Sequence, residues 1–151
     1  MSQVVAIAAA VGLDIVQLHG SETADQINAL RPSLPLIRAV HVEAGVNAAT
    51  LASSLHELPP AAILLDTKVA GAVGGTGVTF DWNIAEELRA KHRMPFFLAG
   101  GLTVGNVAAA VQQVDPWGVD VSSGVETDGQ KDIDKIVSFV RNAKSMRTLA
   151  M

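Results

Sequence analysis

Among the 151 residues there is no cysteine, so disulfides, thiolate metal sites and cysteine nucleophiles are excluded from this chain. Basic charge is scarce as well: 11 Lys and Arg stand against 15 Asp and Glu, a formal net charge of -4. Nucleic acids and anionic membranes are held by clustered Lys and Arg, so neither is an expected partner. Small anions stay open, because backbone amides bind them without net positive charge. No apolar run reaches the ~18 residues that a membrane span needs. The stretch from Val4 to Leu13 is apolar, yet no Lys or Arg occurs before Arg31 and the stretch runs into Asp14, so it lacks the basic flank of a secretion signal. A cytoplasmic protein is expected. Hydrophobic residues make up 49% and charged ones only 17%, a composition for one folded domain over 1–151 rather than for disorder.

Short β-rich runs alternate with longer amphipathic ones. The strand candidates are Ile15–Gly20, Leu36–Val42, Ala62–Thr67, Phe96–Gly101 and Gly118–Ser123. Helices are expected over Val4–Val11, Glu22–Leu30, Asn47–Leu58, Asn83–His92, Val107–Val114 and Asp132–Lys144. In the last of these, Ile133, Ile136, Val137 and Val140 form one apolar stripe, which predicts one buried face. Asn83 with Glu86 offers a helix-start cap. Strict alternation implies parallel strands joined by helical crossovers. An open doubly wound sheet and a section of a (β/α)8 barrel both satisfy it. The strand ends favour the barrel, because His19, His41, Asp66-Thr67, Gly100-Gly101 and Ser122-Ser123-Gly124 all fall at carboxyl ends, the face that carries barrel active sites.

Asp66 is the sharpest residue. It closes the apolar run Ala61-Ala62-Ile63-Leu64-Leu65 and precedes a glycine-rich segment that includes Gly74 to Gly77. A carboxyl group at the mouth of a closed apolar site can donate a proton, because desolvation disfavours its charged form. The structural alternative is a helix cap or an ion pair with Lys68. Gly100-Gly101 and Ser122-Ser123-Gly124 end consecutive strands, and small residues there let backbone N–H groups approach a phosphate, with Thr103 placed to cap the next helix. Tight turns alone would also account for either loop. The Gly74–Gly77 segment is no P-loop, since Val78 and Thr79 follow where Lys and Ser or Thr are required. Asp14 and Asp120 read as structural, and His56 and His92 as solvated helical residues. Gln17 and His19 can touch a ligand, as can His41. No pair of histidines has metal-ligand spacing in sequence, so no metal site is expected.

The segments "VQLHG", "LLDTK…GGTGVTFDW", "LAGGL…NV" and "GVDVSSGVE…G…KD…KI…F", in this order, resemble the phosphoribosylanthranilate isomerases of tryptophan biosynthesis from about Val4 to Met146. The resemblance implies a (β/α)8 barrel and an Amadori rearrangement of N-(5-phosphoribosyl)anthranilate to 1-(2-carboxyphenylamino)-1-deoxyribulose 5-phosphate, with no cofactor. It makes Asp66 the general acid that protonates the ribose ring oxygen, with Gly100, Gly101, Ser122, Ser123 and Gly124 at the phosphate. The family's base is a cysteine of the first strand in a Lys-x-Cys-Gly motif, which this chain lacks. An arginine for the substrate carboxylate also belongs to that part of the family barrel.

Aligning "VQLHG" with the family's fourth strand leaves strands four to eight here. The expected fold is therefore α/β, an incomplete (β/α)8 TIM barrel of five parallel strands. On this reading the chain is a fragment, inactive alone, whose partners are a phosphorylated small molecule and the amino-terminal part of the barrel or a fused biosynthetic domain. Should it act alone, His19, His41 and Glu126 are the substitute bases available. Two other readings remain: a different phosphate-binding barrel enzyme, and a non-catalytic half-barrel that binds or assembles with another chain.

Overall fold

The computed structural model describes residues 2–20, 22–43, 45–57, 60–67, 79–91 and 94–145. Its elements run α1 (Ser2–Val11), β1 (Val16–Leu18), α2 (Ala24–Leu30), β2 (Leu36–Val42), α3 (Ala48–Glu57), β3 (Ala62–Thr67), α4 (Trp82–Lys91), β4 (Phe96–Leu98), α5 (Val107–Val114) and β5 (Gly118–Val119). A single 3-10 turn (Ser123–Val125), a small hairpin of β6 (Glu126–Thr127) and β7 (Gln130–Lys131), and α6 (Ile133–Ser145) complete it.

The five main strands pair in the order β1-β2-β3-β4-β5, and every pairing is parallel. A doubly wound sheet reverses its strand order at a switch point. Sequential order without reversal is what a barrel produces, and the sheet is a five-stranded section of one.

Strand β3 is buried on both faces, as parallel strands between two layers are. Ile63 and Leu65 pack with Leu88, Phe96, Leu98, Val107 and Val114 under the helices. Leu64, pointing the other way, meets Ala39 and Ala99 in a smaller cluster, with Ile37 and Phe97 at its margin. The register pairs Ala39 with Leu64, His41 with Asp66 and Gln17 with Ile37. Since side chains alternate along a strand, Gln17, His19, Ile37, Ala39, His41, Leu64 and Asp66 share the inner face.

Helix ends follow local chemistry. Thr23 and Gln26 form a reciprocal capping box at the start of α2. Asn47 Oδ1 accepts the N–H of Thr50 before α3. At α4 the cap is Asp81, whose Oδ1 accepts the N–H of Asn83, so the expected Asn83–Glu86 cap is not the one used. The Asn83 side chain instead accepts from Gln113. Asp128 and Gly129 both have positive φ, 52° and 75°, the two-residue turn that joins a tight hairpin. That Asp-Gly signal stands in the sequence, and β6 and β7 are an addition to the expected elements.

Asp132 caps α6, its Oδ1 accepting from the N–H groups of Asp134 and Lys135 while Oδ2 accepts from the Thr127 hydroxyl. The Thr127 bond first, then the Lys135 N–H, hold this carboxyl below its ordinary value of 3.8. A group with a lowered folded value stabilises the fold above its ordinary value and loses that contribution as pH falls through the lowered one. Urea unfolding of the protein and of Asp132→Ala should therefore differ above about pH 4, and the two curves should converge in stronger acid.

The apolar stripe of α6 corrects the sequence expectation. Ile133 is 75% exposed, Val137 49%, and Ile136 and Val140 lie on the same open side; Phe139 is the residue that is buried. A helical period reports that a face is apolar, and burial needs a covering layer. Among the described residues none covers this one.

Candidate active site

Three side chains meet at the carboxyl ends of β1, β2 and β3. Asp66 Oδ2 lies 3.5 Å from His19 Nε2 and 3.9 Å from His41 Nδ1. The imidazoles stand edge to face, centroids 5.0 Å apart at 74°, so both rings direct a nitrogen at one carboxylate oxygen. Gln17 Nε2 sits 3.1 Å from His19 Nδ1 and orients that ring. Asp66 is half-buried and His19 open to solvent, leaving the carboxylate accessible from the inner face.

The glycine after β4 explains how Asp66 fits. Gly100 has φ +79°, and a Cβ there would lie 2.3 Å from the Thr67 backbone nitrogen and 2.8 Å from Asp66 Oδ1. Only glycine adopts this φ without strain and clears the carboxylate. Gly100 therefore packs against the acid rather than serving only the expected phosphate loop. Thr67 Oγ1 accepts the N–H of Phe80 at 3.2 Å, which ties the end of β3 to the start of α4. Lys68, the expected structural partner of Asp66, and the glycines at 74, 75 and 77 lie outside the described residues, as does His92.

The two small-residue loops touch. A Cβ on Gly124 would fall 1.8 Å from the Leu102 carbonyl oxygen, so the 3-10 turn after β5 rests directly on the loop after β4. Asn106 holds that loop: its Oδ1 accepts the Thr103 N–H at 2.7 Å, and its Nδ2 donates to the Gly101 carbonyl at 3.0 Å. Thr103 is not the side-chain cap anticipated for α5, where Asn106 takes the capping position without a side-chain bond to the helix. Between the loops runs an open cleft of about 640 Å³ whose lining includes Thr103, Ser123, Gly124 and Lys135 together with the carboxylates of Glu126, Asp132 and Asp134. Ser123 is exposed in this lining, and the preceding Ser122 is exposed as well. Lys131 Nζ donates to the Ser122 carbonyl at 2.9 Å and to Glu126 Oε1 at 2.6 Å, a cation that the sequence reading did not single out. Glu126 is thereby engaged with Lys131 and stands apart from the Asp66 group.

A sequentially ordered parallel β/α sheet with an acid and glycine-rich loops gathered at its strand carboxyl ends defines a protein of the (β/α)8-barrel enzyme type. The chain belongs to the family described as PRAI, N-(5'phosphoribosyl)anthranilate (PRA) isomerase, whose model matches residues 1–142. It is 43% identical over 137 residues to the N-(5'-phosphoribosyl)anthranilate isomerase of Listeria monocytogenes, covering 90% of this chain and 64% of that protein. It is 42% identical to a multifunctional tryptophan biosynthesis protein of Phycomyces blakesleeanus, covering 97% of this chain and 20% of that one. The isomerase structure from Thermotoga maritima superposes with a TM-score of 0.77 at 38% identity, over 95% of this chain and 68% of that chain. A solved isomerase in complex with reduced 1-(o-carboxyphenylamino)-1-deoxyribulose 5-phosphate gives 0.75 at 35% identity, over 95% and 66%. The chain thus spans about two thirds or less of the relatives it matches.

Proposed function

We propose that this chain supplies the acid and phosphate half of an N-(5'-phosphoribosyl)anthranilate isomerase site, acting in tryptophan biosynthesis once the upstream part of the barrel is joined to it. The observation that carries the proposal is Asp66 held at the inner carboxyl end of β3 by Gly100 and flanked by His19. In the rearrangement Asp66 gives its proton to the ribose ring oxygen, the C1–O bond breaks and a Schiff base forms. A base then removes the C2 proton, giving the enol that becomes the ketose. Proton donation and proton removal are separate tasks for separate groups, and the residue for the second belongs to the first strand of the family barrel.

The chain corresponds to strands four to eight of that barrel, and residues 1–151 form one partial domain. Among the described residues β5 pairs with β4 alone and forms an edge of the sheet. Beside it an apolar cleft of about 400 Å³ is lined by Val119, Val121, Ile136, Phe139 and Val140. An added strand and helix from the upstream segment would cover this cleft and the exposed stripe of α6, whether that segment is fused to the chain or supplied separately. A cytoplasmic location fits a biosynthetic enzyme of this kind, and no described helix is long and apolar enough to cross a membrane.

The loops of Gly100-Gly101 and Ser122-Ser123-Gly124 take the substrate phosphate through backbone N–H groups. Gly101 has φ +67°, a conformation a β-branched residue adopts only with strain, so Gly101→Val distorts the loop. Titration with inorganic phosphate, followed by calorimetry, should show affinity at least tenfold weaker in Gly101→Val. Equal affinity in a folded variant would remove the phosphate from these loops. Activity itself is tested by following phosphoribosylanthranilate consumption after the chain is joined to strands one to three of a relative.

A further inference from the structure

We propose that His19, His41 and Asp66 form a binding site for a transition-metal ion of the Zn2+ or Co2+ class. One ligand atom from each lies within 4.8 Å of the others. Each comes from a different strand, β1, β2 and β3, at adjacent carboxyl ends, which is why spacing along the chain does not show the group. In a tetrahedral zinc site, bonds of 2.0–2.2 Å put ligand atoms about 3.4 Å apart. The His19–Asp66 separation of 3.5 Å already matches, the His41–Asp66 separation is 3.9 Å, and all three ligand atoms lie within 4.8 Å, so closing the site takes side-chain rotation that draws the two imidazoles together.

The donor set decides the ion. Two neutral imidazoles and one carboxylate suit zinc, cobalt, nickel or iron, whereas magnesium and calcium prefer oxygen ligands. Gln17 completes the arrangement from behind. Turned so that its amide oxygen faces His19 Nδ1, now 3.1 Å from the amide nitrogen, it accepts the Nδ1–H and leaves the Nε2 lone pair directed at the ion. Such outer hydrogen bonds fix the tautomer of a ligating histidine. His19 is 49% exposed and His41 31%, so water has access to the remaining coordination position. A bound ion takes the Asp66 oxygen that would otherwise carry a proton, and it would therefore compete with proton donation.

The test uses the untagged 151-residue chain, stripped with a chelator and titrated with Zn2+ and Co2+ by calorimetry. One ion per chain with a micromolar dissociation constant is expected. His41→Gln and Asp66→Asn should each weaken it at least tenfold, and Gln17→Leu about tenfold, the lower end of outer-ligand effects. A His56→Gln/His92→Gln double variant should bind as the parent does. The proposal is overturned if no stoichiometric binding occurs, if His41→Gln or Asp66→Asn binds like the parent, or if the double variant loses the ion. Amide resonances of the parent chain with Co2+ decide the matter should a variant fail to fold. Paramagnetic shifts centred on residues 18–20, 40–42 and 65–67 support the site, and shifts centred elsewhere overturn it.

Discussion

Replacing Asp66 by Asn in the completed barrel is expected to lower kcat by 10² to 10⁴-fold, the usual contribution of a general acid. Asparagine keeps the size of the side chain and puts an amide where the carboxylate now faces the His19 and His41 nitrogens at 3.5 and 3.9 Å. It cannot donate a proton at neutral pH. Ring opening should slow while phosphate affinity, set at the loops after β4 and β5, is retained. Loss of an interaction made only in the transition state lowers kcat and kcat/KM together. A purely structural aspartate behaves otherwise: its loss costs about 1 kcal/mol or less of stability and leaves the rate nearly unchanged. Steady-state kinetics and a thermal melt on the same preparation separate the two. More than about a tenth of the parent kcat would lie outside the general-acid range and remove Asp66 from that role.

The 151-residue chain by itself should turn over phosphoribosylanthranilate at least 10²-fold more slowly than the same chain joined to the upstream strands. It has no cysteine, and a cysteine is the base that the family resemblance implies. Of the substitutes, His19 and His41 crowd the acid itself, and Glu126 is paired with Lys131. Mixing the chain with a separately expressed segment carrying strands one to three should restore turnover if the β5 edge and the cleft beside it accept that segment. Co-elution in gel filtration gives an independent readout. Family-level turnover by the chain alone would show that a base resides within these residues and overturn the division of labour proposed here.

Much of the fold was legible because it rests on short-range patterns. Strands β2 and β3 occupy Leu36–Val42 and Ala62–Thr67 as their β-branched and leucine-rich runs predict. The other strands are shorter than expected. Strand β5 ends at Val119, and residues 123–125 turn instead into a 3-10 helix, which Gly124 permits by resting on the Leu102 carbonyl. That contact spans 22 positions and leaves no local trace. The same holds for Gly100, whose glycine character suggested a phosphate turn and whose nearest neighbours proved to be Thr67 and Asp66.

By itself the sequence determined the α/β alternation, the family, and an aspartate at the end of an apolar strand, because period and motif are properties of neighbouring residues. Only the tertiary structure decided which strand ends lie together. Parallel strands about 4.8 Å apart bring His19, His41 and Asp66 into one group through a register that pairs His41 with Asp66. The same packing left the apolar stripe of α6 open. Hydrophobic periodicity specifies a face, whereas covering it depends on which other elements are present to pack there.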